Sequence, residues 1–233
     1  PALTMLEERL ADFNPAFHKF DELTEQGNYL EAREIVLKLN SEAQLIYTLL
    51  SDIPGLISEI QTKIPASIQD LRNGHREMEE QKYYLTHLEL QEHLDKMEEE
   101  LKTLKVRLAN LEVDYVRDRV DEILNEVDSF YDSLEKEVHA KAFVDKNRED
   151  IHNFLHQVLS LTKEVHEEVQ LVQNSYRISD EEVDIPKTGL KTLEMIQKRY
   201  EILVTRLEQE QSAYSSLQEE LVAINEEIGQ VQE

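Results

Sequence analysis

Apolar residues recur at gaps of three and four along almost the whole chain, and that spacing admits little besides packed helices. Leu90, Leu94, Met97, Leu101, Leu104, Leu108 and Leu111 form one stripe; Val116, Val120, Ile123, Val127 and Phe130 form another. The second behaves as if it began at Val113, two residues out of phase with the first. No glycine or proline marks the slip within residues 108–120, so it is either a register shift in one long helix or a helical hairpin. At Gln26-Gly27-Asn28 an earlier stripe breaks by the same two positions, and there the turn chemistry is plain. By analogy residues 108–120 are read as a hairpin, with Asn110 and Asp114 able to bond loose backbone groups. Met97 and Val127 then lie side by side on neighbouring helices.

Five Gly and five Pro in 233 residues leave few punctuation marks, and the prevailing Leu, Glu, Lys and Gln lose little rotamer freedom in helices. The stripes predict eight helices. The first runs from Leu3 to Phe20 with a kink at Pro15, and the second from Tyr29 to Leu50, ending at Asp52-Ile53-Pro54-Gly55. The third runs from Leu56 to Tyr84, disturbed at Pro65. The fourth and fifth flank the slip. A sixth runs from Ile151 to Val169. A polar break, Ser179 to Lys187 with Pro186, precedes a seventh through Leu193, Ile196, Tyr200, Leu203 and Leu207, and an eighth carries Leu217, Leu221, Ile224, Ile228 and Val231. Between the last two, only Glu210, charged where an apolar residue is due, hints at a turn, so hairpin and single helix both stay open there.

The helices repeat. Tyr29, Ala32, Val36, Leu39, Ala43 and Ile46 align with Val113, Val116, Val120, Ile123, Val127 and Phe130 at an offset of 84, and Tyr47 then meets Tyr131. A third copy starts 101 residues further on, at Tyr214. Gln81-Lys82-Tyr83-Tyr84-Leu85 matches Asn174-Ser175-Tyr176-Arg177-Ile178 at an offset of 93. The expectation is an all-α, elongated array of three-helix repeats: 1–85, 86–180, and a partial hairpin repeat at 181–233. In the second repeat, Leu101, Val120 and Val158 should face one another.

The formal charge of −25, from 25 Lys and Arg against 50 Asp and Glu, opposes nucleic-acid backbones and anionic lipid. No cysteine is present, which excludes disulfides and thiolate metal sites and fits a reducing compartment. No stretch reaches the ~18 apolar residues of a membrane helix. The chain opens on Pro1, as expected of a piece of something longer.

Catalytic and metal patterns are sparse. His152 and His156 share a helix face, but the position after His152 is Asn153 rather than the glutamate of a zincin. Glu149 with His152 makes one Glu-x-x-His pair, whereas a di-iron bundle needs two. His75, between Leu71 and Met78, reads as a core or boundary histidine. No phosphate-binding loop or nucleophile elbow occurs. Tyr83 and Tyr84 read as packing at a junction between repeats. The expectation is therefore no enzyme, no cofactor, no metal site, and a partner face that the residues do not reveal.

The segments QKYYL (81–85), FYDSLEKEVHAKAFVDKN (130–147) and VQNSYRI (172–178), in that order on acidic helical repeats, resemble the EzrA family of septation ring formation regulators of Gram-positive Firmicutes. The resemblance implies spectrin-like three-helix repeats on the cytoplasmic face of the membrane, at the division septum. It further implies a role in restraining and placing the ring of the tubulin-like protein FtsZ, with FtsZ and other division proteins as partners. The family's N-terminal membrane helix has no counterpart here, so no direct membrane contact is expected of this piece. Two other readings compete. A membrane-curvature module would need a basic concave face. A cytoskeletal spacer of the spectrin kind usually carries a core tryptophan, and this chain has none.

Overall fold

The computed structural model describes residues 2–176 and 179–232. Helix covers 91% of the protein and no strand occurs among the described residues, so the all-α expectation holds. The elements are α1 (Ala2–Ala11), α2 (Phe13–Glu25), α3 (Tyr29–Ser58), a π-helical turn (Glu59–Lys63), α4 (Ile64–Glu80), a 3₁₀ turn (Thr86–Leu88), α5 (Leu90–Ala109), α6 (Val113–Ser175), α7 (Asp180–Glu208) and α8 (Tyr214–Gln232). They form two compact units: Pro1–Asn73 with Leu90–Phe130, and Gly74–Glu89 with Tyr131–Glu233. Helices α4 and α6 each contribute residues to both.

In the first unit the prolines act differently from one another. Pro15 has no N–H and its ring excludes the carbonyl of Ala11, so the expected kink becomes a break at Asp12 between α1 and α2. The expected end at Pro54-Gly55 does not occur: α3 passes through both residues. Ile46, Leu49, Leu56, Ile60 and Ile64, at gaps of three, seven, four and four along this run, are all buried, and the burial resumed beyond Pro54 outweighs the one hydrogen bond that it forfeits. Immediately before Pro65 the helix widens, the Ile64 N–H bonding the carbonyl of Glu59, five residues back. Long-range polar contacts join the helices. Arg72 of α4 donates to Gln91 and Asp95 of α5, each at 2.6 Å. Arg119 of α6 forks onto Glu100 of α5, one arm at 2.7 Å, and Arg117 of α6 meets Asp52 of α3.

The slip at residues 108–120 is a hairpin. Helix α5 ends at Ala109, Leu111 turns left-handed (φ +61°), and α6 begins at Val113. The Leu111 N–H bonds the carbonyl of Leu108 (3.0 Å) and the Glu112 N–H that of Arg107 (3.1 Å), which closes the helix end without a glycine. Gly27 (φ +79°) closes α2 with the same bonds, from Gly27 to Thr24 and from Asn28 to Leu23. Lys82 (φ +71°) closes α4 likewise, from Lys82 to Glu79 and from Tyr83 to Met78. A Cβ in the left-handed region costs roughly 1–2 kcal/mol, which glycine avoids at some cost in chain entropy. Lys82 is exposed and also pairs with Glu210 at 3.3 Å. Lys82→Gly should therefore be more stable than Lys82→Ala by roughly 0.5–1 kcal/mol in urea unfolding, because both variants lose the pair and only alanine keeps the strain.

The second unit corrects two expectations. The fifth and sixth expected helices are one: α6 runs 63 residues without a break. Ala140, Val144, Ile151, Leu155 and Val158 carry the buried stripe across the expected boundary, at gaps of four, seven, four and three. Consequently Leu101 and Val120 belong to the first unit, whereas Val158 lies in the core of the second with Leu193, Ile196, Leu203, Leu221 and Ile224. The expected meeting of those three residues does not occur. A break does precede α7, since α6 ends at Ser175 and α7 begins at Asp180, but it does not extend over the expected stretch to Lys187. Ser179 caps α7, accepting the Glu182 N–H, while the Glu182 carboxylate returns to the Ser179 N–H. The helix then runs on through a buried Pro186. Arg177 and Ile178 of the expected joint lie outside the described residues. The last two helices are a hairpin whose left-handed residue is Glu210 (φ +53°).

Candidate functional site: a buried carboxylate and an aromatic joint

The second unit gathers its least ordinary side chains where the QKYYL segment meets the start of α8. The left-handed turn at Lys82 reverses the chain after α4, so that Leu85 enters the core at 1% exposure. The Tyr83 ring then meets the Tyr214 ring edge-on, centroids 5.3 Å apart, and Tyr84 stacks on His87 at 6.5 Å. Lys141 of α6 lies 5.8 Å from the Tyr214 centroid and pairs with Asp145 at 3.1 Å. Burial raises the Tyr214 hydroxyl above the ordinary phenolic pKa, with Lys141 opposing. The hydrogen bond to Asp145, more than any other cause, raises Lys141 above the usual lysine value.

Beneath this joint sits Glu137 of α6, a carboxylate only 2% exposed. One of its oxygens accepts the backbone N–H of Ser215 at 3.2 Å, and the other lies 3.6 Å from His87 Nε2. Ser215 is the second residue of α8, and such an N–H has no partner within its own helix. The anion also faces the positive end of the α8 dipole. A side chain of α6 thus caps α8 and holds the α7–α8 turn. Next to it is a groove of about 350 Å³ lined by Tyr84, His87, Arg206, Ser212 and Ser216. Arg206 is already engaged, with both oxygens of Glu220 at 3.0 and 2.9 Å and with Ser212 at 3.1 Å.

An imidazole beside a carboxylate is an ingredient of nucleophilic catalysis, but here the parts are not joined. His87 and Glu137 lie beyond hydrogen-bond distance, and among the described residues no hydroxyl bonds His87. The arrangement positions a helix. Packing, the reading given to Tyr83 and Tyr84, is what Tyr83 does against Tyr214. Glu137 was missed, although a charged residue three after Leu134, where the apolar spacing calls for another core residue, was a legible signal. So was the Ser-x-x-Glu of the α7 cap.

The other singled-out residues do not converge. The His152 ring lies 4.3 Å from His156 and 5.1 Å from Tyr200, whose hydroxyl donates to the Arg148 carbonyl at 3.0 Å. Burial raises the pKa of Tyr200. Among the described residues no group of three or more His, Cys, Asp or Glu side chains is placed to hold a metal ion. His75 is buried, its Nδ1 3.5 Å from Glu79 but without hydrogen-bond geometry. Among the described residues, no helix is long and apolar enough to cross a membrane.

Comparison with known proteins gives one consistent match. The family model described as septation ring formation regulator, EzrA, matches residues 1–233. The protein of that name from Geobacillus sp. (strain WCH70) is 34% identical over 94% of this chain, and the one from Geobacillus kaustophilus 33% over 91%. The protein of that name from Listeria monocytogenes serotype 4a is 30% identical over 96% of this chain. The matches cover 39%, 38% and 39% of those relatives, so the chain spans about two fifths of their length. No solved structure matches.

Proposed function

The chain belongs to the EzrA family of septation ring formation regulators, and from that membership we propose that it serves bacterial cell division as a non-enzymatic helical spacer contacting the FtsZ filament. The observation that carries this reading is the family match, which extends over all of residues 1–233. On this proposal the chain acts at the cytoplasmic side of the membrane, at the septum, and works by position. It sets a distance to the filament or obstructs lateral contacts between filaments, and it transforms no substrate.

Two observations support a spatial role. Helix α6 alone, 63 residues, provides about 95 Å of continuous helix at ~1.5 Å per residue. The charge of −25 opposes direct adsorption to anionic lipid, so any membrane attachment in this reading is supplied by other parts of the protein. The repeat partition 1–85, 86–180 and 181–233 belongs to the same proposal. It is supported by Tyr29, Val113 and Tyr214, aligned in the sequence, each being the first residue of a helix. A repeat in sequence need not coincide with one packed unit, because α6 serves both units.

The test is FtsZ assembly followed by light scattering with GTP, with and without an excess of this chain. A change in the extent of assembly or bundling, with no GTP consumed by the chain alone, is expected. Unchanged scattering at a tenfold excess, or nucleotide hydrolysis by the chain itself, would remove the proposal.

A further inference from the structure

Asn73 precedes Gly74, the only Asn-Gly pair in the sequence. Both lie in the interior of α4, and the division of the chain into two units falls between them. An asparagine followed by glycine is prone to spontaneous deamidation, because glycine has no Cβ to hinder attack by its own amide nitrogen. The Gly74 nitrogen attacks Asn73 Cγ. Nδ2 leaves as ammonia, taking the proton that the attacking nitrogen gives up, and a succinimide ring remains. Water then opens the ring at Cγ, which gives aspartate, or at the backbone carbonyl, which gives isoaspartate with the chain running through Cβ and Cγ.

The fold holds this reaction back. In an α-helix the N–H of such a residue bonds the carbonyl four residues back, and the preceding side chain points towards the N-terminal end, away from that nitrogen. The Asn73 side chain is also tied there, its Oδ1 accepting from Gln69 Nε2 at 3.1 Å. Ring closure therefore needs α4 to open around Asn73. Packing opposes that opening: Leu71 and His75 flank the pair at 1% and 6% exposure, and Arg72 holds Gln91 and Asp95 of α5. Gly74 is the weak place, since glycine gives up the most chain freedom on becoming helical. A Cβ at Gly74 would meet nothing within 4 Å, so no close approach calls for glycine.

We propose that Asn73-Gly74 is a deamidation site gated by the opening of α4, and that its isoaspartyl product breaks the helix where its residues pass from the first unit to the second. Isoaspartate inserts an extra backbone carbon ahead of Gly74, so the hydrogen-bond ladder of α4 no longer matches across it. Leu71 and His75 then cannot both keep their buried places on one continuous helix. Either product adds a negative charge to a chain already at −25. The modification records how often α4 has opened, and it does not depend on the division reading.

The test incubates the full chain in warm, mildly alkaline buffer, folded and in strong urea, and follows each asparagine by peptide mass mapping. Isoaspartate is counted with a protein isoaspartyl methyltransferase. In urea Asn73 should react first among the asparagines, and in the folded chain it should react at least about tenfold more slowly. Leu71→Ala, which loosens α4 locally, should speed the folded-state reaction. Urea just below the unfolding transition should do the same without a variant. Gly74→Ala should suppress the reaction in strong urea, where no helix remains to hold it back. The isoaspartyl chain, separated by ion exchange, should melt at a lower temperature than the unreacted chain. Equal rates folded and in strong urea, or another asparagine reacting first in urea, would overturn the proposal. So would a folded-state rate that neither Leu71→Ala nor sub-transition urea moves, an undiminished rate in Gly74→Ala, or equal melting temperatures.

Discussion

Lys146→Pro is expected to destabilise the protein by about 3 kcal/mol or more, while Lys146→Ala should stay within about 0.5 kcal/mol. Lys146 is exposed and lies inside α6, so its side chain contributes little and only the backbone responds. Proline removes the N–H that bonds the carbonyl four residues back and collides with that carbonyl. A bend there would also disturb the register of Val144 and Leu155, which are 0% and 1% exposed on either side. Urea unfolding of the two variants checks this. A loss below about 1 kcal/mol for the proline variant would mean that the chain hinges between Leu134 and Ile151, as the eight-helix reading of the sequence had it.

The second large effect separates two neighbours of similar chemistry. Leu203→Ala should cost about 2–5 kcal/mol, and Ile202→Ala no more than about 0.5. Leu203 is 0% exposed in the core of the second unit, among Leu193, Ile196, Leu217 and Leu221, whereas Ile202 is 59% exposed. Removing the leucine side chain leaves a cavity that the surrounding helices fill only in part, in addition to the lost transfer energy. Removing the isoleucine side chain leaves only solvent. Equal losses would mean that α7 presents a different face to its neighbours.

How much of this was legible depended on which physical signal carried each element. Burial every three or four residues gave helix type and most core positions, and the two-residue slip before Val113 located the α5–α6 hairpin. Breakers were the weaker guide. Pro54 and Pro186 suggested ends that do not exist, because one missing N–H is a smaller loss than interrupting a row of buried side chains. Conversely, Lys82 and Leu111 adopt left-handed backbone with no mark in the sequence, since a strain of about 1–2 kcal/mol can be absorbed by a well-packed turn. Glu137 was legible as a charge at an apolar position, but its task, capping α8 from a residue 78 positions away, is a tertiary fact.

The proposal that most needs testing is contact with the division filament. Co-sedimentation of this chain with GTP-assembled FtsZ, over a range of chain concentrations and beside a longer stretch of one of its relatives, addresses it directly. A chain spanning about two fifths of its relatives offers fewer simultaneous contacts and hence less avidity. The expected result is pelleting that saturates only above about 10 µM, with tighter binding by the longer protein. No pelleting at about 100 µM, or saturation below about 1 µM by this chain alone, would contradict the account.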